Sequence, residues 1–195
     1  MLTAVGIKPE CPFQQVFKST YLYGSFSPLT GDMFCLEIPF CNADNFQIYL
    51  DEFSMERPQE FKIIVLDNGA FHKSKSLSIP KNIGLIFLPP YSPELNPAEK
   101  IWQIIKRDFQ NRLFDSVEKL GNFISSSLQK ITAEIVKSIC SYKYIFSELN
   151  WAFNNYKRNN TCNGLVIPMF SNYPISIQNV YFLFRYKINF LGTTN

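Results

Sequence analysis

Phe61-Lys62-Ile63-Ile64-Val65-Leu66 is a nearly continuous apolar run of strand length that stops at Asp67. A run without polar alternation fits a strand covered on both faces. A second run, Ile83-Gly84-Leu85-Ile86-Phe87-Leu88, is stopped by Pro89-Pro90. Segments of helical pattern alternate with these strands, and that order predicts an α/β architecture with a partly parallel sheet.

Before the first run, Thr20–Phe26 and Met33–Pro39 are rich in aromatic and β-branched residues and flank Ser27-Pro28-Leu29-Thr30-Gly31-Asp32, the pattern of a β-hairpin with a long loop. Asn42-Ala43-Asp44 opens a segment with apolar Phe46, Ile48, Tyr49, Leu50 and Phe53, which predicts a short amphipathic helix ending before Pro58. Lys73–Leu77 is expected to form a helical turn. From Pro97, Ile101, Trp102, Ile104, Ile105, Phe109 and Leu113 recur at helical spacing, so this helix turns an apolar face to the core. Two more helices are expected, near Asp115-Ser116, where Glu118 completes the look of a capping box, and near Thr132.

The chain's 195 residues, 46% of them hydrophobic, suffice to bury a core. No run approaches the roughly 18 apolar residues of a membrane helix, and Met1–Glu10 lacks the pattern of a signal peptide, so no membrane association and a cytoplasmic location are expected. The cysteines, Cys11, Cys35, Cys41, Cys140 and Cys162, form no C-x-x-C pair, and His72 is the sole histidine. That set does not make a zinc site.

The net charge of +3 conceals an asymmetry. Residues from Trp151 onward carry Lys157, Arg158, Arg185 and Lys187 and no acid. With those four set aside, the preceding part holds 15 bases against 16 acids, without the basic excess of a domain that grips DNA by many phosphates. The composition shift places a boundary near Asn150, dividing the chain into a domain over 1–150 and a C-terminal extension over 151–195. Within the extension, Val180–Leu191 reads as a strand pair or as poorly ordered chain, with Tyr181, Phe182 and Phe184 filling a core rather than stacking on bases.

Two acids stand where chemistry is expected. Asp67 ends a buried strand and is followed by the turn-forming Asn68-Gly69-Ala70-Phe71-His72, and strand ends are where open α/β sheets place ligands. Glu99 lies in the first turn of a helix reached through a proline-stiffened loop. Phosphodiester chemistry at neutral pH is well served by two divalent ions, and carboxylates are natural ligands of such hard ions. Each feature also has a plainer reading. Asp67-Asn68-Gly69 alone suits a simple turn, and Asn96-Pro97 with Glu99 suits an ordinary helix start.

The two motifs together are more specific. Asp67-Asn68-Gly69-x-x-His72, then Leu88-Pro89-Pro90-Tyr91-Ser92-Pro93-x-Leu95-Asn96-Pro97-x-Glu99-x-x-Trp102, with 31 residues between the carboxylates, resembles the signature of DDE transposases of the mariner superfamily, in the bacterial insertion-sequence branch. The likeness extends from Gly6-Ile7-Lys8-Pro9 to about Ile145.

The resemblance implies a ribonuclease-H-like mixed sheet flanked by helices, in which Asp, Asp and Glu bind two Mg2+ (or Mn2+) ions. Such enzymes nick DNA at transposon ends and join the freed 3′ hydroxyl to target DNA. Asp67 matches the second carboxylate and Glu99 the third, both as catalytic metal ligands, while Asn68, His72 and Asn96 match supporting positions. Lys100, Lys106, Arg107 and Arg112, on and beyond the Glu99 helix, are candidate DNA contacts.

The family's first Asp lies on a strand that precedes the Gly6–Pro9 element. The expectation is therefore a domain lacking its first strand, with neighbouring strand edges exposed and the catalytic triad incomplete. Asp32, Asp44 and Asp51 are not expected to substitute. Expected partners are DNA, an upstream-encoded N-terminal part of the transposase and further copies of the chain. The alternative is an inactive remnant acting at most as a DNA- or subunit-binding protein.

Overall fold

A computed structural model describes residues 18–89, 95–109, 112, 114–140, 165–166 and 179–190. The proline-rich segment 90–94 and Leu113 lie outside the described residues. Six strands form one mixed sheet: β1 (Lys18–Phe26), β2 (Met33–Ile38), β3 (Lys62–Leu66), β4 (Ile83–Phe87), β5 (Leu165–Val166) and β6 (Val180–Phe190), in the order β2-β1-β6-β3-β4-β5. Among the described residues, four helices flank it: α1 (Ala43–Met55), α2 (Ala98–Phe109), α3 (Val117–Gln129) and α4 (Ala133–Cys140). This is the expected α/β, ribonuclease-H-like arrangement.

The hairpin β1–β2 is antiparallel, with Phe26 opposite Met33 and Tyr21 opposite Ile38. Its loop turns at Gly31, whose φ of +78° is in the left-handed region, where a side chain is strained. A Cβ at Gly31 would also lie 2.5 Å from the Ala133 carbonyl oxygen. β3 is buried at every position, as its unbroken apolar run predicts, and pairs in parallel with β4 on one side and β6 on the other.

β6 is the element least anticipated. Rather than pairing with itself, Val180–Phe190 runs as a single strand between β1 and β3, antiparallel to the first and parallel to the second. The strand edges expected to lie exposed are thus covered. The physical reason is the segment's composition: Val180-Tyr181-Phe182-Leu183-Phe184 carries no charge and suits a strand with helices on both faces.

Side chains of β6 enter two cores. Val180, Phe182 and Phe184 join Ile63, Val65, Ile101, Trp102 and Ile105 on the α2–α4 side, where Trp102 stacks on Phe184 at 5.1 Å and on Tyr186 at 3.5 Å between centroids. Tyr181 and Leu183 join Phe46, Tyr49, Leu50, Phe53, Ile64 and Leu66 on the α1 side. Tyr181, Phe182 and Phe184 are core, as read from the sequence.

Two local expectations shift. The helical turn falls at Ala70–Lys73, a 3-10 turn, and not at Lys73–Leu77, because the Ser74 hydroxyl bonds the Ser76 amide and hydroxyl and holds a tighter turn there. The capping box near Asp115 does not form: Ser116 caps α3 by accepting from the Lys119 amide, leaving Asp115 to pair with the Lys119 side chain at 2.8 Å. α1 is capped by Asn42, whose side chain accepts from the Asn45 amide at 2.9 Å. Two of the acids not expected to substitute for the first carboxylate are engaged elsewhere, Asp32 with Arg57 at 2.8 Å and Asp51 with the Gln47 side-chain amide at 2.9 Å.

Lys62 is fully buried in β3, its ammonium donating to the Arg57 carbonyl at 3.1 Å. Burial lowers its pKa to about 8 from the ordinary 10.5. Between those values the unfolded chain holds a proton that the folded chain has released, so stability rises with pH across that window. Thermal melts from pH 8 to 10.5 should show this rise in the unchanged protein and its loss in Lys62→Met. A variant that tracks the unchanged protein would show that the ammonium titrates as it does in water.

Candidate active site

Asp67 leaves β3 at its carboxyl end. Ile63 and Val65 point to the α2 side, and the two-residue period of a strand turns Asp67 the same way. Two contacts hold the loop that follows. The Asn68 side-chain amide donates to the Leu88 carbonyl, and the Leu88 amide donates to the Leu66 carbonyl at 2.8 Å, which fastens the exits of β3 and β4 together. Gly69 then allows a close approach, because a Cβ there would sit 2.9 Å from the His72 ring and 3.1 Å from an Asp67 oxygen.

The Asp67 carboxylate accepts from the Gly69 amide at 2.9 Å and lies 3.3 Å from His72 Nε2. The hydrogen bond from His72, more than any other contact, pulls its pKa down to about 2, aided by the Gly69 amide and the Arg185 guanidinium. Asp67 is therefore ionised at neutral pH and remains largely exposed, its side chain 61% accessible.

His72 is buried against Phe46 and Phe71, at 4.4 and 4.0 Å between ring centroids. Burial lowers its pKa in spite of Asp67, so at neutral pH the ring is uncharged. Its Nδ1 is buried without a hydrogen-bond partner, which assigns the ring hydrogen to Nε2, where Asp67 accepts it. The histidine holds the carboxylate in place.

Glu99 occupies the first turn of α2, half-buried. Burial raises its pKa, and the negative charge of Asp67 raises it further. The helix that carries it is anchored by Asn96, which is buried and has two uses: its Oδ1 accepts from the Ala98 amide at 3.1 Å, and its Nδ2 donates to the Leu183 carbonyl of β6 at 2.8 Å. The structure thus brings Asp67, Asn68 and His72 together at one strand exit, with Glu99 within reach of Asp67's charge. Among the described residues, no three His, Cys, Asp or Glu side chains, Asp67, His72 and Glu99 included, lie together as a group that could hold a metal ion.

Of the candidate DNA contacts, Lys100, Lys106 and Arg107 line one groove of about 700 Å3 with Gln103, Ile104, Ser138 and Ile139, between α2 and α4. Arg112 does not join them, its guanidinium lying over the Phe123 ring at 4.7 Å. Sequence reasoning missed Arg185. It reaches from β6 to Phe71, 4.6 Å above the ring, and donates to Cys41 Sγ at 2.9 Å. Its presence in a charge-poor, strand-prone segment was the available signal.

A mixed sheet in this order, with helices packed against it and Asp67 at the exit of a central parallel strand, defines the chain as a ribonuclease-H-like α/β protein. Residues 6–121 match the family model of the DDE superfamily endonuclease, more than half of the chain, and the chain belongs to that family. Membership implies DNA as substrate and divalent metal ions in its cleavage. The chain is also similar to the uncharacterized protein y4pE/y4sA of Sinorhizobium fredii (strain NBRC 101917 / NGR234), with 31% identity over 113 residues, covering 57% of this chain and 84% of that protein. No solved structure matches significantly. No helix among the described residues is long and apolar enough to cross a membrane.

Asn96→Ala removes the donor to the Leu183 carbonyl and the acceptor of the Ala98 amide together. Leaving buried polar groups unpaired costs about 1–3 kcal/mol each, so denaturant unfolding should show a loss of at least about 1 kcal/mol. A change within error would mean that water replaces both contacts.

Proposed function

We propose that this chain is the catalytic part of a DNA transposase of the mariner superfamily, in the insertion-sequence branch, with Asp67 and Glu99 as ligands of divalent metal. The observation that carries this reading is that Asp67, at the exit of β3, lies near enough to Glu99, in the first turn of α2, for its charge to raise the Glu99 pKa. Family membership supports the chemistry.

The donor set fits Mg2+ or Mn2+. Two carboxylates, Asp67 ionised and its charge acting on Glu99, present the hard oxygen ligands that Mg2+ accepts while keeping waters and substrate phosphates. When bound, paired ions of this kind activate an attacking oxygen and stabilise the leaving one. The chain's own residues then have defined tasks. His72 and Gly69 fix the Asp67 carboxylate, Asn68 fixes the loop that bears it, and Asn96 seats the helix that bears Glu99. Lys100, Lys106 and Arg107 offer a basic track along α2 for the DNA backbone.

The segment 151–195 is an extension that adds β6 to the catalytic sheet. A second reading, a remnant that binds DNA or subunits without cutting, is favoured by the absence, among the described residues, of any three His, Cys, Asp or Glu grouped so as to hold a metal ion.

Nicking of supercoiled DNA in Mg2+ or Mn2+ tests the first reading. Nicking abolished by Asp67→Ala and by Glu99→Ala supports it, and nicking indifferent to both removes the site. DNA binding without nicking selects the second reading.

The basic track has a separate test. Lys106→Ala combined with Arg107→Ala should reduce the slope of log affinity against log salt by about 2, since each phosphate contact contributes roughly 0.9. An unchanged slope would place the DNA elsewhere.

A further inference from the structure

Two elements flank β3 at the level where Asp67 emerges. On one side β4 runs out through Leu88, whose backbone is bonded to Leu66 and Asn68. On the other side lies β6, paired Ile63 with Val180, Ile64 with Tyr181 and Val65 with Phe182. Continuing that register by two residues sets position 184 level with Asp67. The side chain at 184 lies on the α2 side of the sheet, packed with Ala98, Ile101 and Trp102. Its neighbour Leu183 is the residue to which Asn96 ties the start of α2. Position 184 is thus beside the strand that carries Asp67 and beneath the first turn that carries Glu99.

We infer that position 184 is the third corner of the acid site, the point on β6 from which a ligand would reach a metal ion shared by Asp67 and Glu99, and that phenylalanine closes this corner in the present chain. The inference rests on the proposed metal role of the acid pair. It assigns β6 a double character: its backbone completes the sheet, while its side chain at 184 presents an aromatic ring where the chemistry calls for oxygen. An ion held by Asp67 and Glu99 would have two protein carboxylates and would depend on water or substrate for its remaining ligands. A carboxylate at 184 would add a donor and a charge, and metal affinity in oxygen-donor sites rises with both.

The test uses the full chain and Mn2+ alone, followed by water-proton relaxation. Phe184→Asp should bind Mn2+ at least about tenfold more tightly than the unchanged chain, whereas Phe184→Asn, equal in size but neutral, should not. Adding Asp67→Asn or Glu99→Gln to Phe184→Asp should reverse the gain. If the unchanged chain binds Mn2+ through Asp67 and Glu99 and Phe184→Asp binds no better, position 184 is wrong and the acid pair stands. If neither binds, the metal reading of the pair fails and takes this inference with it. Where the substitutions unfold the chain, the readout is recovery of far-ultraviolet circular dichroism on adding Mn2+. Phe184→Asp must then refold and Phe184→Asn must not, and any other pattern overturns the assignment.

Discussion

The structure depends on the insertion of β6 between β1 and β3. Each of those strands would otherwise present a row of unpaired amides and carbonyls, an edge that invites pairing with other chains. The ladder from Lys18–Phe190 to Phe26–Phe182 covers the whole of β1, and the parallel pairing with β3 joins the hairpin to the rest of the sheet. Packing follows from the same placement. Alternate side chains of β6 enter the core under α1 and the core under α2 and α4, so one segment ties both layers to the sheet. The acids inherit their positions from it, because α2 is seated on β6 through Asn96 and Trp102.

The electrostatics of the acid pair are unequal. Asp67 is exposed and stabilised as an anion by donors aimed at it from His72 and Gly69. Glu99 is half-buried and feels both desolvation and its neighbour's charge, each of which disfavours its anion. A cation placed between them would relieve both terms. Arg185 supplies part of that charge from the α1 side, but its guanidinium is engaged with Cys41 and Phe71. It tempers Asp67 without filling the place of a ligand-bound ion.

Much of this was legible in the residues. The unbroken run ending at Asp67 predicts a buried central strand, and the helical spacing of Ile101, Trp102 and Ile105 predicts the face of α2 that is buried. Asp67 and Glu99 follow, since a strand exit and a helix start are where such side chains can meet. The caps were less legible: Asp115 and Ser116 are both good caps, and only the path of the chain decides between them. Least legible was β6. Strand propensity marks Val180–Phe190 as extended chain, but its partners are far away in sequence, and no local pattern states which edges a strand will join. Arg185 was missed for the same reason, because its importance comes wholly from what lies next to β6.

That distance between strand propensity and strand partner separates two properties that usually travel together. Completing a sheet requires only backbone hydrogen bonds and apolar side chains on both faces, conditions that Tyr181, Phe182, Leu183 and Phe184 satisfy. Completing a metal site requires an oxygen donor at one particular position of the same strand. The first demand is met by many sequences and the second by few, so a segment that closes a sheet will generally serve the fold and not the chemistry. Here the stacking of Phe184 and Tyr186 on Trp102 adds stability where an acid would add function. A buried carboxylate in that place would carry a desolvation cost that only a bound cation could offset. Stability without metal and readiness for metal therefore pull the residue at 184 in opposite directions, and phenylalanine resolves the conflict in favour of the fold.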